Sequence, residues 1–172
     1  MKFQSSLCLM LVALVAVSGC SKKETGSAAA PAQAAPSAAA ATAPMGPRVV
    51  TVEATDAMKF SVTRIEATAG EELKVVLKNV GTLPKEAMGH NWVLLKKGAD
   101  VMGFSTAALQ AKATDYIPAA MAAQVIAHTK LIGPKQTDEV TFKAPSEAGE
   151  YAFICSFPAH AMAGMRGVLI VK

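Results

Sequence analysis

The chain has 172 residues, of which 52% are hydrophobic, and carries 17 Lys and Arg against 13 Asp and Glu. Within residues 48–172 the balance is 14 basic against 12 acidic residues, a net charge of only +2, and the basic residues are scattered. This excludes a polyanion-binding surface, so nucleic acid is not an expected partner, while the length suits one domain with extensions.

Lys2 precedes the apolar run LCLMLVALVAV at 7–17 and then SGC at 18–20. A charged start, a short apolar stretch and small residues before a cleavage point describe a signal peptide, and the run is too short for a comfortable membrane span. VSGC at 17–20 is similar to a bacterial lipobox, whose cysteine is lipidated and becomes the first mature residue. The expectation is a lipoprotein signal peptide over 1–19 and an exported protein anchored through Cys20 to a bacterial membrane, on its periplasmic face or at the cell surface. After Cys20, residues 21–47 consist largely of Ala, Pro and Ser and offer little to bury, so 20–47 reads as a lipidated cysteine followed by a disordered tether. Such a tether averages about 30 Å end to end and reaches at most roughly 90 Å.

From residue 48 the pattern changes to alternation of apolar and polar residues. It runs through RVVTVEAT (48–55), KFSVTRIEAT (59–68), ELKVVLKN (72–79), NWVLLKK (91–97), QVIAHTKLIG (124–133), DEVTFKA (138–144), EYAFICS (150–156) and GVLIVK (167–172). Period-two alternation with β-branched residues, punctuated by Gly and Pro, predicts strands. Eight of them predict an all-β protein, an antiparallel eight-stranded Greek-key β-sandwich. The Ala-rich segment at 105–124 breaks the alternation after a Ser-Thr start, which predicts a short helical insertion around 105–123 that ends or bends near Pro118.

Cysteine use narrows the chemistry. Cys8 falls within the signal peptide and Cys20 is assigned to the lipid, which leaves Cys155 as the single thiol of the domain. It cannot form an internal disulfide, and in an oxidising compartment it needs burial or a metal. Five positions on stands His160, then Met165, and upstream His90 opens the NWVLL stretch. A thiolate, two imidazoles and a thioether suit copper in both oxidation states, in a His2Cys plane with a weak axial Met. The same thiol and imidazole could act as nucleophile and base, but no orienting third group is identifiable and the methionine would have no task.

LPKEAMGHNWVLL (83–95), VIAHTKLIG (125–133) and YAFICSFPAHAMAGMRGVLIVK (151–172) resemble, in that order, three segments of the azurins, and the likeness covers the whole domain from Arg48. The lipobox and tether are similar to those of lipid-modified azurins and membrane-bound auracyanins. The resemblance implies a cupredoxin fold and a non-enzymatic electron carrier with one copper ion cycling between Cu(II) and Cu(I). It implies His90, Cys155 and His160 as strong ligands, Met165 as the long axial ligand, and the Gly89 carbonyl as a very weak one. Asn91 would tie the ligand segments together and, with the Phe157 N–H, place hydrogen bonds near the Cys155 sulfur. It implies an apolar docking patch of Met58, Leu83, Ala87, Met88, Leu109, Phe157, Pro158 and Ala159, with His160 at the surface as the electron exit. Transient partners would be redox proteins such as c-type cytochromes or a terminal reductase or oxidase; copper binding for delivery is the alternative.

The chain departs from the azurin pattern in places. It lacks the cysteines of the usual disulfide, has Asn79 where many azurins carry a pH-responsive His, and has Ala159 where Gly is usual. The interval from His160 to Met165 is one residue longer than in typical azurins and matches auracyanins. Taken alone, His128 reads as a surface residue, Trp92 as a core aromatic, and Met58 and Met88 as core fillers.

Overall fold

The computed structural model describes residues 46–172; the predicted signal peptide, Cys20 and nearly all of the tether lie outside the described residues. Among the described residues nine strands form two sheets: β1 (Arg48–Thr55), β2 (Lys59–Phe60), β3 (Arg64–Ala67), β4 (Glu72–Asn79), β5 (Val93–Leu95), β6 (Val125–His128), β7 (Thr137–Lys143), β8 (Gly149–Ile154) and β9 (Arg166–Val171). One sheet has the order β2-β1-β4-β7 and the other β3-β9-β8-β5-β6. The predicted sandwich is present, with a mixed rather than purely antiparallel pairing: β1 runs parallel to β4 and β3 parallel to β9.

Alternation places the core. In β4, Leu73, Val75 and Leu77 are fully buried while Lys78 points outward, and Val52 and Ala54 of β1 join them. Tyr151, Phe153, Leu169 and Val171 close the core from the other sheet. Trp92, fully buried, packs against Phe153 and Phe142 at ring-centroid distances of 5.3 and 5.8 Å. Each such side chain contributes roughly 1.5–3 kcal/mol of apolar burial.

The stretch at 59–68, predicted as one strand, divides between the two sheets. Ser61 turns the chain, with its N–H on the Glu53 carbonyl at 2.9 Å and its Oγ accepting from the Glu53 N–H at 2.8 Å. From there the Thr63 carbonyl already accepts from Val168, so the second half pairs with β9. Unbroken alternation conceals such a crossing, because each half keeps its apolar residues inward whichever sheet it joins.

The helical insertion begins earlier than predicted. Asp100 caps α2 (Val101–Ala108), accepting from the Met102 and Gly103 N–H groups at 3.0 Å. Ser105 and Thr106 sit inside the helix and bond back to the Val101 and Met102 carbonyls. Two 3-10 turns follow, Lys112–Thr114 and Ala119–Gln124, the second starting at Pro118. The insertion buries Phe104 and Ile117 in a cluster with Val93, Leu95 and Ile154. All three residues of β5 are therefore buried, Leu94 in the main core and its neighbours in this cluster.

Candidate metal centre

Two segments converge at one end of the sandwich. A single turn of helix, α1 (Lys85–Met88), leads through Gly89 to His90. A Cβ on Gly89 would lie 2.7 Å from the Lys85 carbonyl oxygen, so only glycine lets the chain pass this closely. His90 is then fixed by a reciprocal backbone pair with Ile132, at 3.1 and 2.8 Å. Cys155 follows β8 and Met165 precedes β9, and because those strands are antiparallel neighbours the ends of the intervening loop meet. The Cys155 N–H donates to the Met165 carbonyl at 3.0 Å, and the Met165 N–H donates to the His160 carbonyl at 2.9 Å.

The structure thus gathers His90, Cys155 and His160. Their donor atoms all lie within 4.8 Å of one another. The Cys155 Sγ is 3.4 Å from His160 Nδ1 and 3.9 Å from His90 Nδ1. Metal bonds of roughly 2.0–2.3 Å to one common centre would separate ligand atoms by about 3–4 Å, so this donor set fits one metal ion. The Nε2 of His90 is buried without a protein partner. Met165 is fully buried in the same core cluster as Cys155.

Burial dominates the electrostatics. It pushes the Cys155 thiol up to about 12, opposed by the N–H groups of Asn91 and Phe157 that bond to it. It pushes His90 down to about 4, opposed by the charge of Asp56, and His160 down to about 4, with His90 adding to the effect. At neutral pH both imidazoles are therefore uncharged and free to donate lone pairs, while the sulfur retains a proton that a cation must displace.

Asn91 links the two segments through three hydrogen bonds of 2.8 Å. Its Oδ1 accepts from the Ser156 N–H, and its Nδ2 donates to Ser156 Oγ and to the Asp115 carbonyl. Asp115 and Tyr116 are both left-handed, with φ of 53° and 61°, and carry the Tyr116 ring edge-on to Phe157 at 5.1 Å. Phe157 in turn lies 4.7 Å from the His160 ring. Asp56 holds the segment leading to α1, accepting from the Thr82 N–H and hydroxyl at 2.8 and 2.9 Å, and those bonds keep its carboxyl below the usual range. Sequence reasoning missed Asp56, Asp115, Tyr116 and Ser156, since nothing local marks a residue whose partner lies far along the chain.

His160, expected at the surface, is instead 2% exposed, its ring packed against Phe157 and His90 at centroid distances of 4.7 and 5.0 Å. Of the expected patch, Leu83 (43%) and Leu109 (44%) are exposed with Ala87 and Ala159, Met58, Met88 and Pro158 are half-buried, and Phe157 is buried. Met162, mid-loop, is 54% exposed. Ala159 has φ 68°, which shows why glycine is the easier residue there. Asn79 is buried and accepts from the Gly81 N–H at 2.9 Å. His128 is exposed, its Nδ1 3.0 Å from the Thr129 carbonyl.

A two-sheet sandwich closing one buried cysteine and two histidines at its end defines a small metalloprotein with soft donors. The profile of the copper binding proteins, plastocyanin/azurin family, matches residues 48–172, and the chain belongs to that family. It is 44% identical over 125 residues to the azurin of Achromobacter denitrificans, covering 69% of this chain and 80% of that one. To the azurin of Pseudomonas fluorescens biotype C it is 40% identical over 126 residues, covering 72% and 97%. Among solved structures it is similar to auracyanin A, a "blue" copper protein of Chloroflexus aurantiacus, with TM-score 0.66, 33% identity and coverage of 74% and 100%. Dithionite-reduced auracyanin of Roseiflexus castenholzii gives TM-score 0.65 and 31% identity, with coverage of 74% and 99%.

Proposed function

We propose that this protein is a type 1 blue-copper electron carrier, a one-electron shuttle between redox proteins at a bacterial membrane. The observation that carries the reading is the Cys155 sulfur, fully buried, with two imidazole nitrogens turned toward it at 3.4 and 3.9 Å. When bound, copper supplies a one-electron couple between Cu(II) and Cu(I).

The chain's own residues make that couple usable. His90 is tied to Ile132 and Cys155 to Met165 by backbone hydrogen bonds, so these residues would hold the metal with little movement on electron transfer. Met165, buried in the same cluster as Cys155, would supply a weak axial donor, and Gly89 would offer its carbonyl from the other segment. The N–H groups of Asn91 and Phe157 withdraw charge from the sulfur, which tunes the potential. The exposed apolar residues Leu83, Ala87, Ala159 and Met162 suit brief docking of a partner such as a c-type cytochrome or a terminal reductase or oxidase. We assign 1–19 to a lipoprotein signal peptide, 20–47 to lipidated Cys20 and a tether, and 48–172 to the copper domain. Among the described residues no helix is long and apolar enough to cross a membrane, and the reading assigns attachment to the lipid alone.

Copper delivery is disfavoured by the burial of all three donors, since a recipient must reach the ion it takes. A thiol nucleophile would need its pKa lowered, whereas burial raises that of Cys155. The test is the visible spectrum after Cu(II) is added to the purified protein. An intense thiolate-to-copper charge-transfer band is expected, and Cys155→Ser should abolish it because an alcohol cannot supply the thiolate bond. A colourless wild type, or undiminished colour in the variant, would remove the reading.

A further inference from the structure

The loop between His160 and Met165 satisfies its backbone largely within itself. The Ala159 carbonyl takes the Ala163 N–H at 2.9 Å, the Ala161 carbonyl takes the Gly164 N–H at 3.1 Å, and the Gly164 carbonyl takes the Arg166 N–H at 2.9 Å. The Ala163 carbonyl differs. Its partner is the ammonium of Lys59, 104 positions earlier, with Nζ to oxygen at 3.1 Å.

Two further features of the fold accommodate this contact. Gly164 has φ 92°, and a Cβ built there would lie 3.1 Å from Lys59 Nζ, so the glycine both permits the turn into Met165 and leaves room for the ammonium. At the other end Lys59 has a fixed base. It opens β2 opposite Thr55 after a tight turn in which Met58, at φ 54°, donates its N–H to the Thr55 carbonyl at 3.0 Å, and the Met58 side chain packs on the core. Among the described residues no carboxylate forms an ion pair with Lys59, so its charge is not neutralised by a protein neighbour.

We infer that Lys59 is a positioning residue for the metal centre: its ammonium straps the Ala163–Gly164 peptide to β2, sets where the loop delivers Met165, and places a positive charge against the loop that joins His160 to Met165. The inference rests on the copper-carrier reading. The strap acts one residue before Met165 and three after His160, so it governs the segment that joins the two loop donors. A hydrogen bond from a charged donor is stronger than a neutral one, and a nearby cation favours the oxidation state with the lower positive charge. Lys59 therefore biases both loop geometry and reduction potential without touching the ion.

The test compares the full chain with its Lys59→Met and Lys59→Arg variants. Methionine keeps the apolar stem and removes charge and donors, while arginine keeps both. For Lys59→Met, the reduction potential should fall, the relative intensities of the thiolate charge-transfer bands should change, and exchange of the Gly164 and Met165 amides in metal-free protein should quicken about tenfold. Lys59→Arg should return all three toward wild type. A Met variant that keeps potential, spectrum and exchange overturns the inference. So does one whose amides alone change, which would make Lys59 merely structural, or an Arg variant shifted as far as the Met variant. If wild type itself takes no colour with Cu(II), the carrier reading fails, while amide exchange in metal-free protein still judges the strap separately.

Discussion

Replacing Asn91 with leucine tests whether one carboxamide joins the two ligand segments. Asn91 is fully buried and its three hydrogen bonds, each 2.8 Å, reach Ser156 twice and Asp115 once. Leucine has the same branched shape but is larger, so no cavity forms, and some overpacking at this fully buried site adds to the polar loss. The substitution strands the buried Ser156 N–H and hydroxyl and the Asp115 carbonyl, at about 1–3 kcal/mol for a fully enclosed group and less for a partly enclosed one. The expected total is about 3–5 kcal/mol, a large part of the roughly 5–15 kcal/mol that holds such a domain together. For a domain of this size that corresponds to a fall in melting temperature of about 12–20 °C. Denaturant unfolding of metal-free protein should show a lower midpoint with an unchanged slope. Ser156→Ala, which keeps the N–H bond to Asn91, should lose only about 1 kcal/mol. If Asn91→Leu costs less than about 1 kcal/mol, the carboxamide is not what ties the segments, and packing alone holds the site.

Acid should weaken the metal-free protein through its histidines. Both are held near 4 against an ordinary 6.5, so between those values the unfolded chain binds more protons; stability is complete above about pH 6.5, falls as pH drops toward 4 and levels off below, by on the order of 3 kcal/mol per ring. Denaturant midpoints at several pH values check this, and a flat profile refutes it; copper affinity should lose its imidazole contribution at lower pH, as pH falls through about 4, where protons compete for the rings of the folded protein. Met165→Leu should raise the reduction potential by removing the axial donor, whereas Met162→Leu, at an exposed site, should leave potential and colour nearly unchanged, and voltammetry showing the reverse would reassign the axial ligand. Cys20→Ala should release an exported, soluble protein that still binds copper; if the variant still needs detergent for extraction, the anchor lies elsewhere.

The sequence by itself determined the strands, because alternation is a local property that survives any choice of partner: ELKVVLKN shows its buried face without reference to β1 or β7. It also pointed to the thiol and the two imidazoles that the fold brings together, since these donors at these intervals have few other uses. Its errors arose where local rules compete. Ser105 and Thr106 look like a cap, yet Asp100 takes that role because the helix must start early enough to bring Phe104 over β5. Only the tertiary structure decided that 59–68 crosses between sheets at Ser61, that His160 is buried against Phe157 and His90, that Asp115 holds Asn91, and that Lys59 reaches the Ala163 carbonyl. The last two contacts join residues 24 and 104 positions apart, Asn91 to Asp115 and Lys59 to Ala163. Such pairs leave no periodic trace in the chain, because which residues meet is set by how the two sheets stack and where their connecting loops fold back.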